Sequence, residues 1–186
     1  MGPRHRLIST ATTLLAEEGL QAVTLRGIAK AAGVSHGAPL RHFTGRSELL
    51  SAVAAAGFSE LLEIAEKLPD SAPRERLTAA CHGYIDFALS NPAMFELMFR
   101  HDLIDTQDPG LSGKSSAVFD LFAGLVGEVQ EQGWRPSWDS RLVAASLWAS
   151  LHGLAELWLW GGLAGASFAP GIDIPLAVTL ESYLGI

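Results

Sequence analysis

Residue patterns that mark enzymes, disulfide-rich proteins and exported proteins are missing from this sequence. Of its 186 residues only one is a cysteine, Cys81, which excludes an internal disulfide framework and is typical of a reducing compartment. There is no Gly-x-Ser-x-Gly elbow, Walker loop or dinucleotide fingerprint, so we predict no enzymatic activity and no cofactor. No long apolar segment follows the first basic residues, so we expect no signal peptide and a cytoplasmic location.

Metal-binding and membrane-spanning patterns are also weak. His152 and Glu156 stand one helical turn apart, but no further His, Cys or Asp at ligand spacing accompanies them, so we expect no metal site. The apolar stretch 142–172 contains both of these polar residues and is interrupted near its end by glycines and a proline, so we predict no membrane span. Cys81 lies among apolar residues, and we interpret it as a small core residue rather than a redox sensor.

Charged residues are few and unevenly distributed. They make up 18% of the chain against 48% hydrophobic residues, an excess of apolar surface that indicates an oligomer interface. Residues 1–50 contain six Lys or Arg and three Asp or Glu, a formal charge of +3, whereas the rest of the chain contains seven and seventeen, a charge of −10. A basic segment on a protein of net charge −7 is typical of a chain that meets a polyanion with one end.

Apolar residues recur at helical spacing along the chain, and no segment alternates convincingly as a strand. We therefore predict an all-α fold of about nine helices. The proline-bounded stretch 69–73 marks a boundary between an N-terminal and a C-terminal part. The predicted helices cover residues 4–18, 25–32, 35–43, 44–68, 74–90, 92–101, 114–132, 139–160 and 173–184, with a loop at 102–113 and a flexible joint at 161–170.

A helix-turn-helix pattern begins at Thr24, which is placed to cap a helix. Gly33 is suited to the left-handed conformation that ends this helix. Val34 is then predicted to enter the core, and Ser35 to cap a second short helix that ends near Phe43. Two short helices joined by such a turn can lay the second helix into the major groove of DNA.

From about Leu7 to Leu50 the sequence resembles the N-terminal DNA-binding domain of the TetR family of bacterial transcriptional regulators. The matching residues are Ala11, Leu15, Gly19, Thr24, Ile28, Ala29, Gly33, Val34, Ser35, Gly37, His42, Phe43, Arg46, Leu49 and Leu50. The chain departs from the family at Leu40, where a tyrosine is usual, and at Pro39, where a leucine is usual. That tyrosine commonly touches a phosphate, whereas Leu40 can pack against a thymine methyl group.

The resemblance implies a homodimer that binds a double-stranded DNA operator. It implies an N-terminal three-helix helix-turn-helix domain at 1–50, a connecting helix at about 45–68 and a C-terminal helical bundle at 69–186 for ligand binding and dimerisation. Three residues at the start of the second helix, His36, Gly37 and Ala38, are predicted to lie nearest the base edges, and Arg26 can reach a base. Phosphate contacts are predicted for Thr24, Arg41, His42 and Arg46. The predicted DNA-binding residues are Thr24, Arg26, Ser35, His36, Gly37, Ala38, Leu40, Arg41, His42 and Arg46.

The helix predicted at 139–160 and the last helix carry more apolar surface than one bundle can hide. We predict that they pair with their copies in a second protomer as a four-helix interface, as in the TetR family. The residues assigned to this interface are Leu147, Leu154, Trp158, Leu176, Val178, Leu180 and Leu184.

An aromatic group in the C-terminal part has two possible explanations. Its residues either fill a core or line a cavity for a small, uncharged or weakly anionic hydrophobic ligand, with Tyr84 and His152 as polar handles. The stretch from Trp148 to Gly153, with Tyr84 and Asn91 upstream, also resembles a subgroup of TetR-family C-terminal domains that carry a Trp…His-Gly signature. The candidate ligand-binding residues are Tyr84, Phe95, Met98, Phe99, Phe122, Trp148 and His152.

Three functions stay open from the sequence. The favoured prediction is a repressor that a small hydrophobic effector releases from a palindromic operator. The second is a small-molecule-binding helical protein that has lost specific DNA binding, for which Leu40 is the one supporting feature. The third is an enzyme built on a helical bundle. Operator binding by the purified protein separates these hypotheses.

Overall fold

The computed structural model describes residues 2–185 and is built from helices. Within that range there are nine α-helices, one 3-10 turn and no strand, which confirms the predicted all-α class. The elements are α1 (Pro3–Glu18), α2 (Leu25–Ala31), the 3-10 turn (Pro39–Arg41), α3 (Arg46–Glu66), α4 (Pro73–Ser90), α5 (Pro92–Met98), α6 (Pro109–Glu131), α7 (Ser140–Leu159), α8 (Gly162–Ser167) and α9 (Asp173–Leu184).

Prolines begin four of the helices. Pro3, Pro73, Pro92 and Pro109 occupy the first positions of α1, α4, α5 and α6. Proline is favourable there because its missing N–H has no helical partner at that position, and its fixed φ already suits a helix. The predicted break at 69–73 is confirmed, since no helix covers residues 67–72.

Two segments predicted as irregular contain helix. α6 begins at Pro109, inside the predicted loop 102–113, because the Asp108 side chain accepts a hydrogen bond from the Leu111 N–H at 2.9 Å and caps the first turn. The predicted flexible joint at 161–170 contains α8, which follows a left-handed residue, Gly161, with φ +79°. At α6 the predicted loop is shortened because Asp108 satisfies a free N–H group of the first helical turn. At α8 a left-handed glycine turns the chain before a new helix begins.

The chain divides into two compact units, and unit 1 contains residues 2–60 and 91–117. In this unit α1 contacts both α2 and α5. α3 approaches α5 closely at Gly57, where a Cβ atom would lie 2.6 Å from the sulfur of Met98 and 2.9 Å from Met94. The largest fully buried side chains of unit 1 are Leu15, Ile28, Phe43, Leu49, Leu50, Phe95, Leu97 and Met98.

Unit 2 contains residues 61–90 and 118–185, with α7 in contact with α4, α8 and α9. By length and composition alone α7 could cross a membrane, and in the described residues it packs against α4, α8 and α9. Cys81 is fully buried, and burial raises the pKa of its thiol to about 12, which confirms it as a core residue. The largest fully buried side chains here are Leu77, Ile85, Leu147 and Leu151.

The two units interleave along the sequence. α3 and α6 each begin in unit 1 and end in unit 2. The division into a DNA-binding part at 1–50 and a ligand-binding part from residue 69 is a functional one, and it stays a prediction.

Candidate nucleic-acid interface and aromatic cluster

The first half of the helix-turn-helix pattern is confirmed. The Thr24 hydroxyl accepts a hydrogen bond from the Gly27 N–H at 2.9 Å and caps α2. Gly33 has φ +65°, in the left-handed region, and reverses the chain after α2. The prediction that Val34 enters the core is wrong, because its N–H is held by the Ala29 carbonyl at 3.0 Å and its side chain stays 41% exposed.

Segment 33–43 is not the α-helix predicted to begin at Ser35. It forms a turn followed by the single 3-10 turn Pro39–Arg41, and most of the hydrogen bonds that its main-chain N–H groups donate join residues three apart. The reason is Pro39, which has no N–H to donate to the Ser35 carbonyl and so removes the first α-helical bond. A 3-10 turn is tighter than an α-helix, so it exposes a different set of side chains.

Most of the predicted DNA-binding side chains lie on this segment and face solvent. Pro39 and Phe43 are buried and anchor it, whereas the intervening Leu40 is 61% exposed. The guanidinium carbon of Arg4 lies 5.1 Å from the centre of the Phe43 ring, a cation–π contact that covers the anchor. The exposed predicted residues are Arg26, Ser35, His36, Gly37, Leu40 and Arg41, and the half-buried ones are Thr24, Ala38, His42 and Arg46.

A carboxylate holds the link between segment 33–43 and α3. The Glu48 Oε2 accepts hydrogen bonds from the Thr44 N–H at 2.7 Å and from the Thr44 hydroxyl at 2.8 Å. The hydrogen bond from the Thr44 N–H, followed by the one from its hydroxyl, lowers the pKa of Glu48, so the carboxylate is ionised at neutral pH. An acidic side chain in the first turn of α3 therefore satisfies a main-chain donor just before the helix begins.

Arg46 makes contacts that the sequence analysis did not predict. Its Nε donates to the Val23 carbonyl at 2.8 Å, and its Nη2 donates to the Leu20 carbonyl at 2.7 Å. Both acceptors lie in the loop 19–24 between α1 and α2, called here the α1–α2 loop. The side chain assigned to a phosphate is therefore bonded within the protein, to main-chain atoms that no sequence motif identifies.

The α1–α2 loop is itself held against α2. The Thr24 N–H donates to the Ala22 carbonyl at 2.9 Å. A Cβ atom on Gly27 would lie 2.4 Å from the same carbonyl oxygen, closer than side chains approach a main-chain oxygen in folded proteins. The first turn of α2 thus approaches the loop at a position where glycine is required.

A hydrogen-bonded aromatic cluster lies in unit 2, called here the Tyr84 cluster: Tyr84, Phe119, Trp148, His152 and Glu156. The Trp148 indole Nε1 donates to the Tyr84 hydroxyl at 3.1 Å, and that hydroxyl lies 2.9 Å from the His152 Nδ1. The Phe119 and Trp148 rings meet edge to face at 6.1 Å, and the His152 Nε2 lies 3.5 Å from Glu156.

The protonation of this cluster follows from its donors. Burial raises the pKa of the Tyr84 hydroxyl, which therefore keeps its proton. Burial lowers the pKa of His152, with Glu156 opposing, so the imidazole is neutral at neutral pH. Because the Glu156 carboxylate faces Nε2, we assign the proton of the neutral imidazole to Nε2; Nδ1 is then an acceptor, and the Tyr84 O–H donates to it.

The remaining candidate ligand-binding residues are divided between the units. Phe95, Met98 and Phe99 belong to unit 1, where the Phe99 ring packs edge to face against Phe95 at 5.3 Å and Phe58 at 6.0 Å. Phe122 belongs to unit 2 and is half-buried on α6. The prediction that all seven residues line one cavity stays a prediction.

Two family models match the chain. A model of bacterial regulatory proteins of the tetR family matches residues 7–53, and a model of tetracyclin repressor-like C-terminal domains matches residues 77–174. The first match covers the capped α2, segment 33–43 and the start of α3. The chain belongs to the TetR family. The finer resemblance to a Trp…His-Gly subgroup stays a prediction.

Two proteins named as transcriptional regulators match nearly the whole chain. It is 27% identical over 191 residues to the HTH-type transcriptional repressor KstR2 of Rhodococcus jostii, covering 100% of this chain and 89% of KstR2. It is 29% identical over 185 residues to the HTH-type transcriptional regulator BetI of Serratia proteamaculans, covering 97% and 91%. A structure of a protein of unknown function from Rhodococcus sp. RHA1 matches with a TM-score of 0.85 at 30% identity, covering 98% and 94%. The protein is therefore a DNA-binding transcriptional regulator.

The structure changes which apolar residues of this TetR-family chain are available to a partner. Five residues assigned to the dimer interface are buried within the protomer, in α7 and α9, because these two helices pack against each other: Leu147, Leu154, Leu176, Leu180 and Leu184. Trp158 is half-buried, and Val178 is 57% exposed. Hydrophobic periodicity shows which face of a helix is apolar. It does not show whether that face packs against the same chain or against a second copy.

A different apolar face of α7 and α9 is exposed. On α7 the exposed Leu142 and Leu157 lie on one helical stripe with Ala149 between them. On α9 the exposed apolar residues are Ile174 and Val178. These exposed apolar residues of the two helices, Leu142, Leu157, Ile174 and Val178, are called here the α7–α9 face.

Proposed function

We propose that this TetR-family regulator represses transcription from a palindromic operator and is released from it by a small hydrophobic effector, and that it works in the cytoplasm. The observation that carries the proposal is the exposed run from Ser35 to Arg41, anchored by Pro39 and Phe43 between two capped helices. The charge supports it, because residues 1–50 hold six Lys or Arg against three Asp or Glu on a chain of net charge −7.

The exposed run divides into base contacts and phosphate contacts. The residues nearest the base edges are those just before the 3-10 turn, His36, Gly37 and Ala38. Gly37 and Ala38 are small, so the backbone can approach the bases there. Arg26 on α2 reaches a base, whereas Thr24, Arg41 and His42 meet phosphates. Leu40 offers a methyl-bearing surface to a thymine in place of the family's tyrosine.

A dimer supplies the second reading head that a palindromic site needs. The α7–α9 face offers Leu142, Leu157, Ile174 and Val178 to its copy, in place of the leucines buried inside the protomer. Burial of each large apolar side chain contributes about 1.5–3 kcal/mol towards association, against the loss of translational and rotational entropy of two protomers.

The effector acts through α3, which starts just after segment 33–43 and ends in unit 2. Near that end, Ile64 meets α4 at Gly83, where a Cβ atom would lie 2.8 Å from the Ile64 side chain. The next residue of α4 is Tyr84, a member of the Tyr84 cluster. A ligand that rearranges this cluster shifts α4 at Ile64 and so moves α3, which is how a difference in affinity between two conformations weakens operator binding.

The ligand is expected to be uncharged or weakly anionic. The cluster offers aromatic faces with one phenol and one imidazole, and it has no cation to pair with a strong anion. Neither a nucleotide nor a sugar finds matching groups there. Coupling of the usual size, ~1–3 kcal/mol, would loosen operator binding about 5- to 150-fold.

The test begins with selection of binding sites from a random-sequence duplex library by the purified protein. Sequence-specific, palindromic sites are expected. The variants His36→Ala and Arg26→Ala should each change the preference at one base position by about 1–3 kcal/mol. Lys30→Ala, a change at an exposed cation of α2 without an assigned base, is the matched control and should keep the preference. Selection that returns no enriched sequence would refute the proposal.

The dimer and the effector have separate tests. Sedimentation at micromolar concentration should give a dimer, Leu157→Asp should give a monomer, and Leu40→Asp, an exposed leucine outside the α7–α9 face, should leave the dimer intact. Medium-chain alkanoic acids and naphthol should release the wild type from its selected duplex, and His152→Ala should be released less. A monomeric wild type would refute the dimer, and retention of DNA across these compounds would refute the effector.

The alternative function is a small-molecule-binding protein without specific DNA binding. Leu40 favours it, because this residue replaces a tyrosine that commonly contacts a phosphate and is exposed on a very short 3-10 turn. The selection experiment decides between the two, since the alternative requires that no sequence be enriched while the hydrophobic compounds still bind. An enzymatic role has no supporting observation in the described residues.

A further inference from the structure

We propose that Arg46 is a positioning residue for DNA binding: its guanidinium joins the α1–α2 loop to the start of α3 and thereby fixes both ends of segment 33–43. This inference deepens the proposed function, on which it rests. It gives Arg46 a role other than the phosphate contact that the family resemblance implied.

The geometry of the guanidinium carries the proposal. Nε and Nη2 form one edge of the planar fork, and they donate to the Val23 and Leu20 carbonyls at 2.8 and 2.7 Å. That edge is one of the two with which an arginine grips a carboxylate or a phosphate in a bidentate manner. Here main-chain oxygens of the α1–α2 loop occupy it, and the side chain is half-buried.

The α1–α2 loop in turn sets the place of α2. Val23 is fully buried, and the next residue, Thr24, is the N-cap of α2. Between Leu20 and Val23 the loop turns on its own hydrogen bonds, with the Ala22 N–H donating to Gly19 at 3.2 Å and the Val23 N–H to Leu20 at 3.3 Å. A bond from Arg46 to this loop therefore holds the first turn of α2.

The two elements that Arg46 joins stand on either side of segment 33–43. α2 ends just before this segment, and α3 begins just after it. Arg26, on α2, and the exposed run from Ser35 to Arg41 must meet the same DNA at once in the proposed function. Their relative placement depends on the hydrogen bonds from Arg46 to the α1–α2 loop. Arg46 therefore affects the affinity for a specific DNA sequence more than the general attraction to phosphates.

A phosphate contact and a positioning contact respond differently to loss of charge. Each phosphate contact contributes about −0.9 to the slope of log affinity against log salt concentration. Arg46→Gln removes the charge, and Arg46→Lys keeps the charge but removes the planar fork. If Arg46 positions the loop, both variants lose affinity for a selected duplex by about tenfold or more, and both keep the wild-type salt slope on an unselected duplex of the same length.

Arg41 is the matched control, because it is exposed and is assigned to a phosphate. Because a dimer carries two copies of Arg41, Arg41→Gln should lower the salt slope by about 1.8, or about 0.9 for each protomer, and Arg41→Lys should keep it. Hydrogen exchange of the full-length protein without DNA gives an independent readout. The amides of Ala22 and Val23 should exchange faster in both Arg46 variants and at the wild-type rate in both Arg41 variants.

Three results would overturn the proposal. One is a salt slope that falls by about 1.8, or about 0.9 for each protomer, in Arg46→Gln while Arg46→Lys binds like the wild type. Another is unchanged exchange at Ala22 and Val23, and the third is an equal loss of affinity for selected and unselected duplexes, which is the mark of a purely structural defect. The exchange measurement needs no operator, so a failure of the DNA-binding proposal and a failure of the Arg46 contact are distinguishable.

Discussion

The helix-turn-helix region and the Tyr84 cluster are held together by different kinds of contact. In the first, side chains meet main-chain atoms: Arg46 bonds two carbonyls, Glu48 bonds the Thr44 N–H, and Gly27 leaves room for the Ala22 carbonyl. In the second, side chains meet side chains, as the Trp148 indole bonds the Tyr84 hydroxyl.

The difference explains how each region depends on residue identity. Every residue except proline has the same main-chain donor and acceptor, so the α1–α2 loop needs a particular backbone path more than particular side chains. Residue identity matters instead at the positions that contact this backbone: Arg46, which donates to it, and Gly27, where any side chain would clash with it. In the Tyr84 cluster each member needs a specific partner, so one substitution affects several contacts at once.

The largest effect is expected in the core on which the Tyr84 cluster rests. Leu147→Ala removes a fully buried side chain from α7 and should lower the free energy of unfolding by about 2–5 kcal/mol, measured with urea at fixed protein concentration. Leu40→Ala, at an exposed position outside the α7–α9 face, should change the free energy of unfolding by less than about 0.5 kcal/mol. Equal losses in the two variants would mean that Leu147 does not belong to the core.

A smaller loss of stability is expected at Gly27, where the first turn of α2 lies close to the backbone of the α1–α2 loop. Gly27→Ala places a Cβ atom 2.4 Å from the Ala22 carbonyl oxygen and should lower the free energy of unfolding by about 1–3 kcal/mol, despite the better helix propensity of alanine. Gly37→Ala is the control, because no atom lies within 4 Å of its added Cβ atom. A stabilised Gly27→Ala would contradict the close approach of α2 and the α1–α2 loop.

Tyr84→Phe tests the side-chain contacts alone. It removes the acceptor of the Trp148 indole N–H and the donor to the His152 Nδ1 while keeping the ring. The free energy of unfolding should fall by about 1 kcal/mol. The indole fluorescence of Trp148, compared with a Trp148→Phe background, should report the lost bond. An unchanged stability and spectrum would show that the hydroxyl contributes nothing to the cluster.

The smallest effect is a pH dependence. Burial lowers the folded-state pKa of His152 below its ordinary value of 6.5, so the unfolded chain binds the proton first as the pH falls. Stability should therefore be full above the unfolded pKa and should decline as the pH falls from there towards the folded pKa, then stay level. His152→Gln should flatten this part of the curve of unfolding free energy against pH. The same slope in both proteins would place the responsible group elsewhere.

The sequence determined the features that act over a few residues. Thr24 caps α2, Gly33 takes the left-handed conformation after it, and the stretch 69–73 breaks the helix, because each depends on hydrogen bonds or steric limits within about one turn. The charge of the N-terminal segment was also set by composition alone. Pro39 also acts locally, since its missing N–H replaces the predicted second helix with a 3-10 turn.

Only the tertiary structure decided which surfaces and partners these elements have. Arg46 finds its acceptors 23 and 26 residues away along the chain, in a loop whose main-chain oxygens carry no sequence signal. Leu147 and Leu176 become core residues, while Leu157 and Val178 stay exposed, because α7 and α9 pack against each other within one protomer. Helical periodicity follows from the backbone geometry of each helix, whereas the neighbour that covers a face follows from how the whole chain closes on itself.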